Sequence, residues 1–125
     1  MAHGIYLTDK ELALFKDRKA GVSHCPISNF ALHSGILDVK RVLEAGVKVG
    51  LGTDVSGGYS PSILQVIRQA IVASNTLQIY DDKYKPLAFK EFFALATLGG
   101  AQLCGLDDKI GNFKPGILYN LDDYL

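Results

Sequence analysis

Three side chains capable of acid–base or metal chemistry recur at nearly even spacing: His3, His24 and Asp54, 21 and then 30 residues apart. Imidazole nitrogen and carboxylate oxygen are the usual partners of a catalytic zinc, which keeps one position open for water. Two histidines and an aspartate on neighbouring elements therefore suit a hydrolytic metal site. Asp54 follows directly on an apolar, glycine-containing run over residues 47–52. A carboxylate placed there is desolvated unless a cation, a strong donor or a catalytic task offsets the cost. The other reading is an aspartate that caps the next turn through its side chain. His3 lies between Ala2 and Gly4, which leave its imidazole unobstructed, although a lone histidine this close to a terminus is commonly incidental. His24 begins the run His-Cys-Pro-Ile-Ser-Asn. It is either a ligand or pocket donor, or a ring that satisfies backbone groups around the proline turn. His33 reads as a loop residue, and Cys25 and Cys104 as small buried hydrophobes.

Several chemistries have no support. The sequence contains no GxxxxGK[ST], GxGxxG or HExxH run, and none of its serines stands in a GxSxG elbow. Thirteen Lys and Arg balance thirteen Asp and Glu over 125 residues, so no basic field is available to grip a phosphate backbone, and nucleic acid is not an expected partner. Apolar runs break well short of the roughly 18 to 20 residues that a membrane span requires, and no charged-then-apolar leader opens the chain. Two distant cysteines without CxxC spacing fit a reducing compartment. The expectation is a cytoplasmic protein without a membrane partner.

The elements that must position these residues follow from local pattern. Thr8-Asp9-Lys10-Glu11 has the form of a capping box and predicts a helix over about residues 9–19. A short buried strand over residues 22–25 is stopped by Pro26, and residues 26–35 read as a long loop. A second helix is expected over about residues 37–45, with Gly46 as its stop. Residues 47–52 form the next strand, whose two glycines imply a tight approach by neighbouring backbone. A polar, Gly-rich loop over 53–61 precedes a long helix over about 62–80. Another helical pattern runs over about 88–97, is interrupted at Gly99-Gly100 and resumes near Gln102. The last nine residues form an acidic, aromatic tail.

Strand, loop, helix in alternation, with polar residues just after each strand, is the pattern of an α/β fold with parallel strands. His3, His24 and Asp54 then mark the C-terminal ends of successive strands, the face on which a (β/α) barrel builds its active site. Such a barrel needs about 250 residues, and only about three strands are countable here, one barely begun at Met1-Ala2. Residues 1–125 are therefore expected to be the C-terminal portion of a larger catalytic domain.

Met1-Ala2-His3-Gly4, the His24-to-Asn29 run and Gly-Leu-Gly-Thr-Asp-Val-Ser-Gly-Gly-Tyr-Ser over residues 50–60 resemble, in this order, the last three strand-end motifs of the amidohydrolase superfamily. The extended third motif, with Ala-Thr-Leu-Gly-Gly-Ala at 96–101 and Ile-Gly-Asn-Phe at 110–113, is similar to the guanine deaminase branch of that superfamily. The resemblance implies strands six to eight, with their following helices, of a (β/α)8 TIM barrel holding one zinc ion and converting guanine and water to xanthine and ammonia. It also implies a homodimer when full length. Asp54 matches the aspartate that binds zinc and takes a proton from the attacking water. His3 matches a histidine that contacts the reacting oxygen, and His24, Ser28 and Asn29 fall in the motif that shapes the pocket wall. The family's HxH pair, and a later His and Glu that complete the site, are absent from these residues. The isolated chain is accordingly expected to be inert towards guanine. From Lys114 onward the sequence departs from the family pattern. Two other readings remain: a related hydrolase of another purine-like or triazine substrate, and a non-catalytic piece that complements another barrel half.

Overall fold

The computed structural model describes residues 1–115; the acidic, aromatic tail lies outside the described residues. Two strands, β1 (Gly21–His24) and β2 (Lys48–Leu51), pair in parallel with Gly21 opposite Lys48 and His24 opposite Leu51. On the other edge of β1, Ala2 makes a single parallel bridge to Ser23. Ser23 N–H donates to the Met1 carbonyl at 2.8 Å and His3 N–H to the Ser23 carbonyl at 3.0 Å. Three parallel segments thus lie side by side in the order Ala2, β1, β2. The third strand expected from the sequence is present as this one bridge.

Six α-helices surround the ladder among the described residues. α1 (Asp9–Asp17) opens with the expected capping box: Glu11 N–H donates to Thr8 Oγ1 at 3.3 Å, and Thr8 N–H donates to Glu11 Oε2 at 2.7 Å. It stops earlier than the pattern implied, because Lys19 turns into the left-handed region at φ 53°. α2 (Pro26–Ala31) replaces the loop expected over 26–35. Pro26 sits in the first turn, where its fixed φ suits a helix and its missing N–H costs nothing, and Ser28 Oγ donates to the Cys25 carbonyl at 3.0 Å. The proline taken as a strand stop is also a helix start.

α3 (Val39–Glu44) is capped by Asp38, which accepts from Arg41 N–H at 3.0 Å, and Gly46 at φ 79° ends it as expected. α4 (Ile63–Tyr80) is the long helix. Tyr84 ties the two together, donating to Asp38 Oδ1 at 3.2 Å and lying 3.5 Å from Ser74 Oγ. Burial pushes its phenol up to about 12. The final helical path does not break at the paired glycines: α5 (Phe89–Ala94) runs into a π-helical turn (Leu95–Gly99) and on into α6 (Gly100–Cys104). Cys104 is exposed at its end, contrary to the buried position expected from its type.

Val22 and Val49, from one face of the strands, meet Leu12, Val42, Ile67 and Phe92 in the core. Each such side chain contributes roughly 1.5–3 kcal/mol when fully buried. The glycines govern how closely the last helical path approaches β2. A Cβ on Gly50 would stand 3.1 Å from Gly100 Cα, and one on Gly99 would stand 2.5 Å from the Val49 carbonyl oxygen. No described helix is long and apolar enough to cross a membrane.

Gly99 and Gly100 make a sharp comparison, because a Cβ on Gly100 meets nothing within 4 Å. Gly99→Ala is expected to lower unfolding stability by about 1–3 kcal/mol through overpacking. Gly100→Ala should leave it unchanged or raise it by about 0.4–1 kcal/mol. Urea midpoints of the two variants check the pair.

Candidate active site

His3 and Asp54 come together at the C-terminal ends of their segments, with His3 Nε2 3.7 Å from Asp54 Oδ2 and both side chains partly exposed. Register causes this. The bridge at Ala2 and the β1–β2 pairing end all three segments on one side of the sheet, and Gly52 N–H extends the ladder by donating to the His24 carbonyl at 3.0 Å. The loop after β2 then folds back sharply: Gly58 N–H donates to the Asp54 carbonyl at 2.7 Å, and Ser56 N–H to the Gly58 carbonyl at 3.2 Å. A Cβ on Gly57 would stand 2.9 Å from Asp54 Oδ2 and 3.4 Å from Ser28 Cβ, so the glycine leaves room for the carboxylate beside α2. His3 and Asp54 both have left-handed backbone, at φ 63° and 46°. That conformation is uncommon outside glycine and is often concentrated at functional sites.

Asn29 joins them from α2. It is buried, and its Oδ1 lies 2.8 Å from His3 Nδ1. An amide oxygen can only accept, so this pairing requires the hydrogen on His3 Nδ1, and it leaves Asn29 Nδ2 buried without a hydrogen-bond partner. In the neutral ring, Nε2 is then a lone pair facing the Asp54 carboxylate. Two acceptors converging in this way are satisfied by a proton or a cation, and imidazole with carboxylate suits zinc. These residues fit part of a metal site, and among the described residues no group of three or more His, Cys, Asp or Glu completes one.

His24 takes a different place. Its ring is buried to 1% exposure, and neither nitrogen has a hydrogen-bond partner. The expectation that it satisfies backbone groups around the proline turn is thus corrected: the turn is closed by Ser28, and the ring packs without a partner. Burial, with a smaller contribution from the charge of His3, lowers its pKa to about 4. Cys25 is a buried thiol whose pKa burial raises; it donates to the Ser23 carbonyl at 3.6 Å, and its sulfur lies 3.2 Å from where a Gly52 Cβ would stand. A groove of about 550 Å³ lies elsewhere, lined by Lys19, Gly21, Lys48 and Leu103, and contains neither His3 nor Asp54. Sequence reasoning assigned Asn29 to the pocket wall and did not anticipate its contact with His3. The available signal was Pro26 at a helix start, which makes its segment a rigid platform.

The chain belongs to the amidohydrolase family, whose pattern matches residues 1–121. It is 55% identical over 116 residues to the guanine deaminase of Mus musculus, covering 93% of this chain and 26% of that protein. Among solved structures it resembles the guanine deaminase of C. acetobutylicum with guanine bound in the active site. That match has a TM-score of 0.84 and 36% identity, over 93% of this chain and 27% of the other. It also resembles the atrazine chlorohydrolase of Arthrobacter aurescens complexed with zinc, with a TM-score of 0.83 and 26% identity over 93% of this chain and 25% of the other. The chain spans about a quarter of the length of the relatives it matches.

The buried His24 makes stability depend on acid. Its folded value of about 4 lies below its ordinary 6.5, so the unfolded chain takes up the proton first. The associated stability is full above about pH 6.5 and is lost as pH falls towards 4. At about 1.4 kcal/mol per unit, the loss reaches on the order of 3 kcal/mol. Urea unfolding of the wild type and His24→Leu across this window should show a shallower decline in the variant.

Proposed function

We propose that this chain carries part of the active site of a zinc-dependent guanine deaminase. In this reading Ala2, β1 and β2 are strands six, seven and eight of a (β/α)8 barrel, and guanine and water become xanthine and ammonia. The observation that carries the reading is the convergence of His3 and Asp54 on parallel strand ends, within a chain 55% identical to a guanine deaminase over 116 residues. The 26% identity to the chlorohydrolase favours guanine over a triazine as substrate.

Asp54 would hold zinc through its carboxylate, with the remaining ligands supplied from outside these residues. When bound, zinc supplies the positive charge that makes a water acidic near neutral pH. Asp54 takes the proton of the attacking water, whose oxygen adds to the guanine carbon bearing the amino group. His3 Nε2 points to the same region and orients that oxygen. Ser28, beneath the Gly57 turn, supports the wall beside Asp54, and His24 backs the motif from its buried position. The amino group leaves as ammonia after protonation by an acid from outside this chain.

A chimera tests this: residues 1–116 of this chain replace the matching segment of the mouse enzyme. It should deaminate guanine and retain zinc, while Asp54→Ala in the same chimera should lose about 10²- to 10⁴-fold in kcat, the range of one general acid–base group, and lose zinc as well. A folded Asp54→Ala chimera with full zinc and full turnover would refute the assignment. The 125-residue chain alone is expected to form no xanthine.

A further inference from the structure

We propose that Asn29 is a positioning residue that holds His3 as its Nδ1–H tautomer and so aims the Nε2 lone pair at the space beside the Asp54 carboxylate. The mechanistic consequence rests on the functional reading above; the tautomer itself does not. Asn29 Oδ1 lies 2.8 Å from His3 Nδ1, and the opposite ring nitrogen faces Asp54 Oδ2 at 3.7 Å. One ring nitrogen is thus tied down and the other presented.

The amide is a rigid anchor. Asn29 is 2% exposed and belongs to a helix fixed at its start by Pro26 and by the Ser28 Oγ bond to the Cys25 carbonyl. His3 is a loosely held reader by comparison, with 39% of its side chain exposed and its backbone in the left-handed region at φ 63°. Its backbone N–H donates to the Ser23 carbonyl at 3.0 Å. Two rotatable bonds remain, and the Asn29 contact stops them. Free rotation would let the ring turn away from Asp54, and the other tautomer would place a hydrogen on Nε2, where an acceptor is needed. Choosing the tautomer of one imidazole nitrogen through the bond made by the other is a general device of histidine sites.

Nitrogen-15 NMR of the histidine rings in the 125-residue chain tests the tautomer without any turnover. Above the titration range, His3 should show a protonated Nδ1 and an unprotonated Nε2. Asn29→Ala should convert it to a mixture rich in the Nε2–H form, and Asn29→Asp, which keeps an acceptor at the same place, should restore the Nδ1–H form. A wild-type His3 that is mainly Nε2–H, or an Asn29→Ala chain that keeps the Nδ1–H form, overturns the proposal. If Asn29→Ala does not fold, the wild-type spectrum and Asn29→Asp still decide it.

In the chimera, Asn29→Ala should lower kcat by about 10- to 100-fold, the cost of losing an outer-shell partner, with KM changed less than about twofold, and Asn29→Asp should recover most of the loss. An equal loss in both variants, or a loss confined to KM, overturns the positioning role. A folded chimera without guanine turnover refutes the functional reading, while the tautomer result stands on its own spectrum.

Discussion

Ser23 spends both of its backbone groups on the edge of β1 that faces Met1 and His3, while the next residue, His24, gives its carbonyl to Gly52 on the β2 side. The middle strand is therefore committed on both edges, and a parallel ladder fixes register residue by residue. Slipping either outer segment by one residue would reverse the face of every side chain it carries. His3 and Asp54 would no longer share a site. Everything chemical in the chain depends on this register, and the buried valines on the helix side of the sheet hold it.

The two side chains that meet both stand on backbone that is not relaxed. Left-handed conformation at non-glycine residues costs of order 1–3 kcal/mol each, and both His3 and Asp54 adopt it. The surroundings impose it: a bridge one residue before His3, and a turn closed by Gly58 N–H on the Asp54 carbonyl. Precision at the site is thus drawn from hydrogen bonds in the ladder and the turn. The exposed side chains themselves carry little of it.

Much of this was legible from local signals. The Thr8 capping box, the Gly46 stop and the glycine-rich second strand each state one structural demand in one or two residues, and each is met. The strand-end placement of His3 and Asp54 followed from spacing, because one strand-loop-helix unit takes up a predictable length. Two things were hidden. Helix α2 is too short for periodicity to register, so its proline was read only as a breaker. The long-range pairing of Asn29 with His3, 26 residues away, leaves no mark on either local pattern. The absence of a partner for the His24 ring is likewise invisible until burial is known, since a histidine next to a proline turn ordinarily has backbone groups to bond.

The wide turn at Leu95–Gly99 has a further consequence for how the last helical path tolerates change in length. A π-helical turn holds one residue more than an α-helical one, and Thr97 Oγ1 bonds back to the Phe93 carbonyl across it at 2.9 Å. Deleting a residue there would close the path into a regular α-helix with the side chains beyond it kept in phase. Winding the full sequence as a regular α-helix would instead rotate every side chain beyond the turn by about 100° about the axis. Leu103 would swing away from Gly50, and Gly99 would cease to face β2. The irregular turn therefore works as a phase adjuster. It lets one continuous helix present Phe92 to the core and Leu103 to the strand glycines, two surfaces that a regular helix of this sequence could not serve together.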